Sequence, residues 1–197
     1  MIAIVDYGAG NLRSVQNAFE KVGAKYELVR DGAGLRRASK IVLPGVGHFG
    51  QMMRALDALA VREEIKHRIA ESVPFLGICL GLQALFESSA ESPEARGLGV
   101  FPGKVERFPI EARVPHMGWN KLEAVNSSRL FKNDAANQYV YFAHSYYVPV
   151  CDKTAVVCSY SRPFTAALES GNCFGLQFHP EKSGAVGLEI VKRFAEL

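Results

Sequence analysis

The apolar residues of this 197-residue chain fall into two kinds of run. The first kind is short and continuous: Ile2 to Val5, Lys40-Ile41-Val42-Leu43 and Val73-Pro74-Phe75-Leu76-Gly77-Ile78. Runs without a polar face are the pattern of strands covered on both sides in a parallel sheet. The second kind has helical spacing. Leu12, Val15, Phe19 and Val22 make one face of a helix starting at about Asn11 and stopped by Gly23, and Met52, Met53, Leu56 and Leu59 make another. With Tyr26 to Val29 as a further strand, the rhythm is βαβ. It predicts one α/β domain over residues 1–197, with a mostly parallel central sheet flanked by helices. The C-terminal half reads differently: Val100 to Phe108, Tyr139 to His144, Ala155 to Ser159, Thr165 to Glu169 and Cys173 to Phe178 are predicted strands. Gly171-Asn172 is a hairpin turn between the last two, so antiparallel strands are expected there. Ser88 to Gly99 and Arg113 to Asn120 read as loops, and Gly184 to Leu197 as a closing helix with Val186, Ile190, Val191 and Phe194 inward.

Composition narrows the classes. Apolar residues at 48% and charged residues at 22% describe an ordinary soluble globule, and no apolar stretch has the length of a membrane span. Met1-Ile2-Ala3-Ile4-Val5-Asp6 lacks a basic region and reads as a first strand, not a signal peptide. The net charge of +3 is small and scattered, which argues against nucleic acid. The four cysteines show no CxxC spacing; a reactive thiol is best kept reduced, so the expectation is cytoplasm without disulfides.

Candidate chemistry centres on Gly77-Ile78-Cys79-Leu80-Gly81. A cysteine between glycines where a strand passes into a helix carrying Leu80, Gln83, Ala84, Leu85 and Phe86 has the pattern of a nucleophile elbow. The unpaired N–H groups of a helix N-terminus favour its thiolate. A small buried cysteine that only packs is the alternative. Pro44-Gly45-Val46-Gly47 ends the preceding strand on the same sheet edge, where successive N–H groups can converge on an anion. The loop at Val46 and Gly47 can supply one donor, and the N–H of Leu80 the other, to an oxyanion beside Cys79; an ordinary Gly-Pro turn is the plainer reading. Phe178-His179-Pro180-Glu181 offers a base and its orienter. Pro180 favours an extended His179, and residues i and i+2 of an extended segment share a side, so Glu181 can hold one ring nitrogen while the other takes a proton. His144, also at a strand end, is a rival base without a nearby carboxylate. Cys79, His179, Glu181 and His144 match no metal-ligand spacing. Gly8-Ala9-Gly10 follows a strand as a dinucleotide loop does, but Arg13 stands where the third glycine belongs, and a tight turn accounts for it better. Arg113 to Asn120 gathers Met117, His116, Asn120 and the chain's one tryptophan, Trp119. A contact surface and core packing under a loop both explain it.

Together, the Pro44 to Gly47 loop, Gly77-Ile78-Cys79-Leu80-Gly81-Leu82-Gln83 and Phe178-His179-Pro180-Glu181 resemble the class I, or triad, glutamine amidotransferases over nearly the whole chain. The resemblance implies a flavodoxin-like α/β fold and hydrolysis of glutamine to glutamate and ammonia through a γ-glutamyl thioester on Cys79. His179 is then base and acid, Glu181 its orienter, and no cofactor is needed. It places glutamine against Gly47, Gln83, Glu91, Ser145 and Tyr146. Within that family, Asp6-Tyr7-Gly8-Ala9-Gly10-Asn11-Leu12, Pro115-His116-Met117-Gly118-Trp119-Asn120 and Gln177 to Ser183 are similar to the glutaminase subunits of imidazole glycerol phosphate synthases. This implies a heterodimer with a (β/α)₈-barrel cyclase subunit that receives the ammonia. Met117, Trp119, Asn120 and Lys182 would lie at the interface, Lys182 facing an acidic residue of the barrel. Ammonia made without an acceptor is wasted, and one peptide flip in Gly45-Val46-Gly47 could turn an oxyanion donor on or off. The isolated chain is therefore expected to be nearly inactive.

Overall fold

The computed structural model describes residues 1–9, 11–124, 128–131 and 137–197; Gly10 of the first loop lies outside them. The first half runs β1 (Ile2–Val5), α1 (Leu12–Lys21), β2 (Tyr26–Val29), α2 (Gly32–Arg37), β3 (Lys40–Gly45), α3 (Phe49–Ala58), α4 (Arg62–Ala70), β4 (Phe75–Cys79) and α5 (Leu80–Gln83). Strands then dominate: β5 (Phe86–Ser89), β6 (Ser92–Arg96), β7 (Phe101–Arg107), β8 (His116–Lys121), β9 (Glu123–Ala124), β10 (Tyr139–His144) and β11 (Tyr146–Tyr147). The chain ends with β12 (Thr154–Tyr160), β13 (Arg162–Ser170), β14 (Cys173–Leu176) and α6 (Gly184–Glu196).

The main sheet has eight strands in the order β2-β1-β3-β4-β14-β13-β12-β9. Pairing is parallel from β2 through β14 and antiparallel from β14 to β9, as the change in pattern along the chain predicts. Both faces of the central parallel strands β1, β3 and β4 are buried, which is why they carry no polar face, while the edge strand β2 is partly exposed. Ile2, Ile4, Val42, Leu76 and Ile78 pack with α1 and α6 on one side. Ala3, Val5, Ile41, Leu43 and Phe75 pack with α2, α3 and α4 on the other. At about 1.5–3 kcal/mol for each large side chain taken from water, these two layers hold the frame on which the sheet's C-terminal edge is built.

Two smaller sheets sit at that edge, β10-β8 and β11-β7-β5-β6, and here three expectations fail. The segment from Ser88 to Gly99 is not all loop: β5 pairs antiparallel with β6. Their residues are polar because only Phe86, Ser89 and Ser92 turn inward, leaving no apolar alternation to read. Phe86 belongs to that strand and not to the helix after Cys79, which has just four residues; Ala84 is its cap. Arg113 to Asn120 is not a loop throughout either. His116–Lys121 is a strand whose pairing with β10 sets His116 opposite His144 and Trp119 opposite Tyr141. It hides His116 at 4% exposure and leaves Met117 at 64% and Trp119 at 56%. The inward His116 packs in the core, while Met117 and Trp119 face outward.

Candidate functional site

Cys79 closes β4 with φ +53 and ψ −104. That backbone region costs a non-glycine residue on the order of 1–3 kcal/mol and persists only where the surroundings enforce it. The surroundings are two close approaches. A Cβ on Gly81 would meet the Leu43 carbonyl oxygen, and one on Gly77 would meet the Gly81 carbonyl at 2.5 Å. Without side chains at 77 and 81 the turn folds tightly against β3 and presents the thiol at the sheet edge, only 6% exposed. The sharp turn is as expected, but a helix of four residues offers little dipole, so the partner that bears on the thiol lies elsewhere.

That partner is His179. The imidazole Nδ1 lies 2.8 Å from Glu181 Oε1, and both side chains are buried, at 2% and 3% exposure. Burial by itself would lower the pKa of His179. The charge of the Cys79 thiolate and a hydrogen bond with it, then the hydrogen bond and charge of Glu181, outweigh burial and raise it to about 10. A His179 raised this far keeps its proton through the neutral range. The route to it differs from the expected one. His179 is extended, with φ −98 and ψ 97, but Pro180–Lys182 coil into a 3₁₀ turn. The turn is closed by the Lys182 and Ser183 N–H groups donating to the His179 and Pro180 carbonyls, and it is this turn that carries the carboxylate back alongside the ring.

Beside Cys79 lies a cavity of about 180 Å³ whose lining includes Val46, Gly47, Leu80, Gln83, Glu91, Ser145 and Tyr146. Each residue expected to hold substrate or an oxyanion thus faces one space. Gly47 takes φ +107, a left-handed turn that suits glycine and leaves the peptide between Val46 and Gly47 unobstructed. Glu91 Oε2 accepts the Phe49 N–H at 2.7 Å, so it is anchored to the start of α3. Gln83 Nε2 donates to the Tyr146 carbonyl at 2.8 Å and to Gln177 Oε1 at 3.2 Å. Gln177 Nε2 in turn donates to Cys79 Sγ at 3.7 Å. Gln177 and Tyr7 are site residues that the reading of the chain did not single out. Gln177 is fully buried, and a lone amide inside Leu176-Gln177-Phe178 is the trace of it. Burial raises the pKa of the Tyr7 phenol, the Val46 backbone amide lowers it, and the charge of Cys79 raises it further; the buried oxygen has no well-formed hydrogen bond.

His144 also lines the cavity, but it is not a competing base. Burial lowers its pKa to about 3, and its Nδ1 is held 2.8 Å from the Tyr146 carbonyl. Among the described residues no group of His, Cys, Asp or Glu is placed to hold a metal. His48 and His67 are exposed. On the outer surface Lys182 Nζ stands 5.7 Å over the Tyr141 ring, and Tyr141 meets Trp119 edge-on at 6.3 Å. Asn120 is half-buried and bonded to the Ser159 carbonyl at 3.1 Å.

The family description "Glutamine amidotransferase class-I" matches residues 3–196. The chain belongs to the class I glutamine amidotransferases. This amidotransferase is 49% identical over 198 residues to the imidazole glycerol phosphate synthase subunit HisH of Methanothermobacter thermautotrophicus, covering 100% of this chain and 98% of that protein. It is 45% identical to the protein of the same name from Methanocaldococcus jannaschii, covering both chains fully. Among solved structures, one titled "Crystal structure of glutamine amidotransferase" superposes on the amidotransferase with a TM-score of 0.78 at 18% identity, covering both chains completely; at that identity the likeness concerns the fold.

Proposed function

We propose that this amidotransferase is the glutaminase subunit of imidazole glycerol phosphate synthase, acting in histidine biosynthesis. The reading draws on the full-length identity to the HisH proteins, and the observation that carries its chemistry is the raised His179 held between Cys79 and Glu181. Cys79 Sγ adds to the γ-carbonyl carbon of glutamine, and the carbonyl oxygen takes the negative charge. The N–H groups of Leu80 and of the Val46-Gly47 loop receive that charge, each donor being worth about two to three powers of ten in rate. His179 gives its proton to the leaving nitrogen, ammonia departs, and the γ-glutamyl thioester remains. Water, losing a proton to His179, then cleaves the thioester to glutamate and restores the thiolate. Glu181 holds the imidazolium in place. Gly47, Gln83, Glu91, Ser145 and Tyr146 hold the glutamine, with the Glu91 carboxylate reading its α-amino group. No step needs a cofactor or a metal, and the whole chain serves as one amidotransferase domain.

The partner is the cyclase subunit, a (β/α)₈ barrel in a heterodimer. It docks on the surface formed by the exposed Met117 and Trp119 with Asn120 and Lys182; Lys182 adjoins Glu181 in sequence, and Pro115, two residues before Met117, lines the cavity. An apolar exposed ribbon beside a site that releases a small neutral product suits handing that product to another protein. Among the described residues no helix is long and apolar enough to cross a membrane, and a thiol nucleophile favours a reducing compartment, so the cytoplasm is the setting. The test is glutamate release from glutamine by the chain alone, then with the cyclase subunit and its nucleotide ligand. Strong stimulation by the pair, with Cys79→Ala abolishing glutamine-dependent but not ammonia-dependent product, is expected. Full activity without the partner, or glutamine-dependent product from Cys79→Ala, would overturn the reading.

A further inference from the structure

Between the outer strand β8 and the cavity, polar atoms of four residues form one chain of hydrogen bonds with a single allowed direction. It begins at the Tyr146 carbonyl, which lies 2.8 Å from His144 Nδ1. A carbonyl oxygen has no proton to give, so the proton is on Nδ1. Burial keeps His144 neutral, with a pKa lowered to about 3, so its Nε2 is bare and must accept. The atom facing Nε2 is His116 Nδ1 at 3.2 Å, which therefore carries the proton. His116 is also kept neutral by burial, its pKa lowered to about 4. Its Nε2 is thus bare in turn, and it faces Asn120 Nδ2 at 3.4 Å.

Neither the amide nor the rings can turn to escape this order. Asn120 Nδ2 also donates to the Ser159 carbonyl at 3.1 Å, and Asn120 Oδ1 accepts the Lys121 N–H at 2.7 Å. His116 is stacked between Tyr160 at 4.0 Å and Phe142 at 4.9 Å. His144 packs against Phe164 at 5.1 Å and Phe108 at 5.4 Å. With the heavy atoms fixed, the two ring protons have one arrangement that satisfies every partner.

We propose that Asn120, His116 and His144 are positioning residues: a tautomer-locked relay through which the outer strand sets the Tyr146 carbonyl in the glutamine cavity. This rests on the assignment of that cavity to glutamine. The carbonyl is worth setting because it also receives Gln83 Nε2 at 2.8 Å, and Gln83 leads through Gln177 to the sulfur of Cys79. The other end is worth sensing because Met117 and Trp119, its neighbours on β8, are exposed. A protein seated on them bears on Asn120, and through two imidazoles on the cavity wall. Core packing needs aromatic rings at 116 and 144, but it does not need both to be histidine with their nitrogens in line.

Asn120→Asp tests the relay because it is nearly isosteric and reverses one end. A carboxylate cannot donate to His116 Nε2; it draws a proton onto that nitrogen instead. If Nδ1 then gives up its own proton, His144 must donate from Nε2, and the bond from His144 Nδ1 to Tyr146 is lost. Imidazole nitrogen shifts in the ¹⁵N-histidine-labelled chain read the tautomers directly. In the wild type both buried rings should show protonated Nδ1 and bare Nε2; in Asn120→Asp the His116 Nε2 should become protonated. With saturating cyclase subunit present, the KM for glutamine should rise several-fold to about tenfold, the scale of one lost neutral hydrogen bond, and kcat should change less. Asn120→Ala leaves Nε2 to accept from water, so it should raise KM less than Asn120→Asp does. Protonated Nε2 on either ring in the wild type overturns the relay whatever the substrate proves to be. A reversed tautomer with an unmoved KM, or an effect of Asn120→Ala as large as that of Asn120→Asp, overturns its link to the cavity.

Discussion

Two pairs of buried side chains built on histidine flank the cavity, and they respond to burial in opposite ways. In His116–His144 each ring faces another neutral imidazole, and burial lowers both, to about 4 and about 3. In His179–Glu181 the ring is equally hidden, yet it is raised to about 10 because a thiolate and a carboxylate stand against it. Desolvation is common to all three rings; the charge that the neighbour can carry decides the outcome. One pair can therefore move a proton at neutral pH. The other can only hold its protons in order, which makes it part of the frame.

The sharpest way to break this contrast is to neutralise the carboxylate. Glu181→Gln keeps the size of the side chain and can still accept from Nδ1, but it removes the charge that helps hold the imidazolium. With an orienting carboxylate lost from a triad, kcat should fall by about three to four powers of ten. The alkaline limb should move as well. The acid form of His179 is lost as pH rises through its raised value near 10, so in the variant the fall-off should begin at lower pH. A kcat–pH profile for both proteins measures this, and an alkaline limb that stays in place would mean that Glu181 does not set the charge of His179.

How much of this was legible in the chain depended on where each residue's neighbours lie. The parallel strands could be read because burial on both faces leaves unbroken apolar runs, as in Ile41-Val42-Leu43. The elbow could be read because Gly77 and Gly81 stand close in sequence to the cysteine whose turn they permit. His179 and Glu181 could be paired by spacing, although the 3₁₀ turn that joins them was not visible. β8 was hidden by its own alternation: an inward His116 and outward Met117 and Trp119 invert the usual sign of a strand's two faces. The relay was hidden for a further reason, since His116 and His144 are 28 residues apart and meet only through the register of β8 on β10. Gln177 likewise reaches Cys79 from 98 positions away.

The neutral pair gives the next largest effect, and it is one of stability. Below about pH 6.5 the unfolded chain protonates His116 and His144, while the folded chain resists until about 4 and about 3. The unfolded state then binds more protons, so stability falls on acidification. The slope is about 1.4 kcal/mol per pH unit for each ring. His179 has the opposite sign: its contribution is fully present below about pH 6.5 and is lost as pH rises toward about 10, so it adds no slope in the acid window. Denaturant unfolding at steps from pH 6.5 to 5 should show stability falling with a slope worth about two protons. A flat profile would mean that the buried rings accept protons in the folded state, which would dissolve the contrast between the pairs.

The smallest effect should come from Tyr7, where the contrast passes from side chains to the backbone. Parallel pairing sets Ile4 of β1 against Val42 of β3 and Gly45 against Cys79 of β4. Tyr7 follows β1 two residues beyond Val5, and charge at Cys79 contributes to its raised pKa. The Val46 backbone that can serve a developing oxyanion also bears on the Tyr7 phenol, whose pKa burial raises and which makes no well-formed hydrogen bond. One N–H cannot fully serve both, so a phenol oxygen that turns onto it competes with the transition state. Tyr7→Phe keeps the buried ring and removes the competitor. In the chain without its partner, kcat for glutamate release should rise several-fold, well short of the two to three powers of ten of a fully formed donor. KM should stay put, because ground-state glutamine does not carry the charge in question. A fall in kcat would show instead that the hydroxyl holds the Val46 peptide in its productive orientation, and would place Tyr7 with His116 and His144 among the groups that order the site.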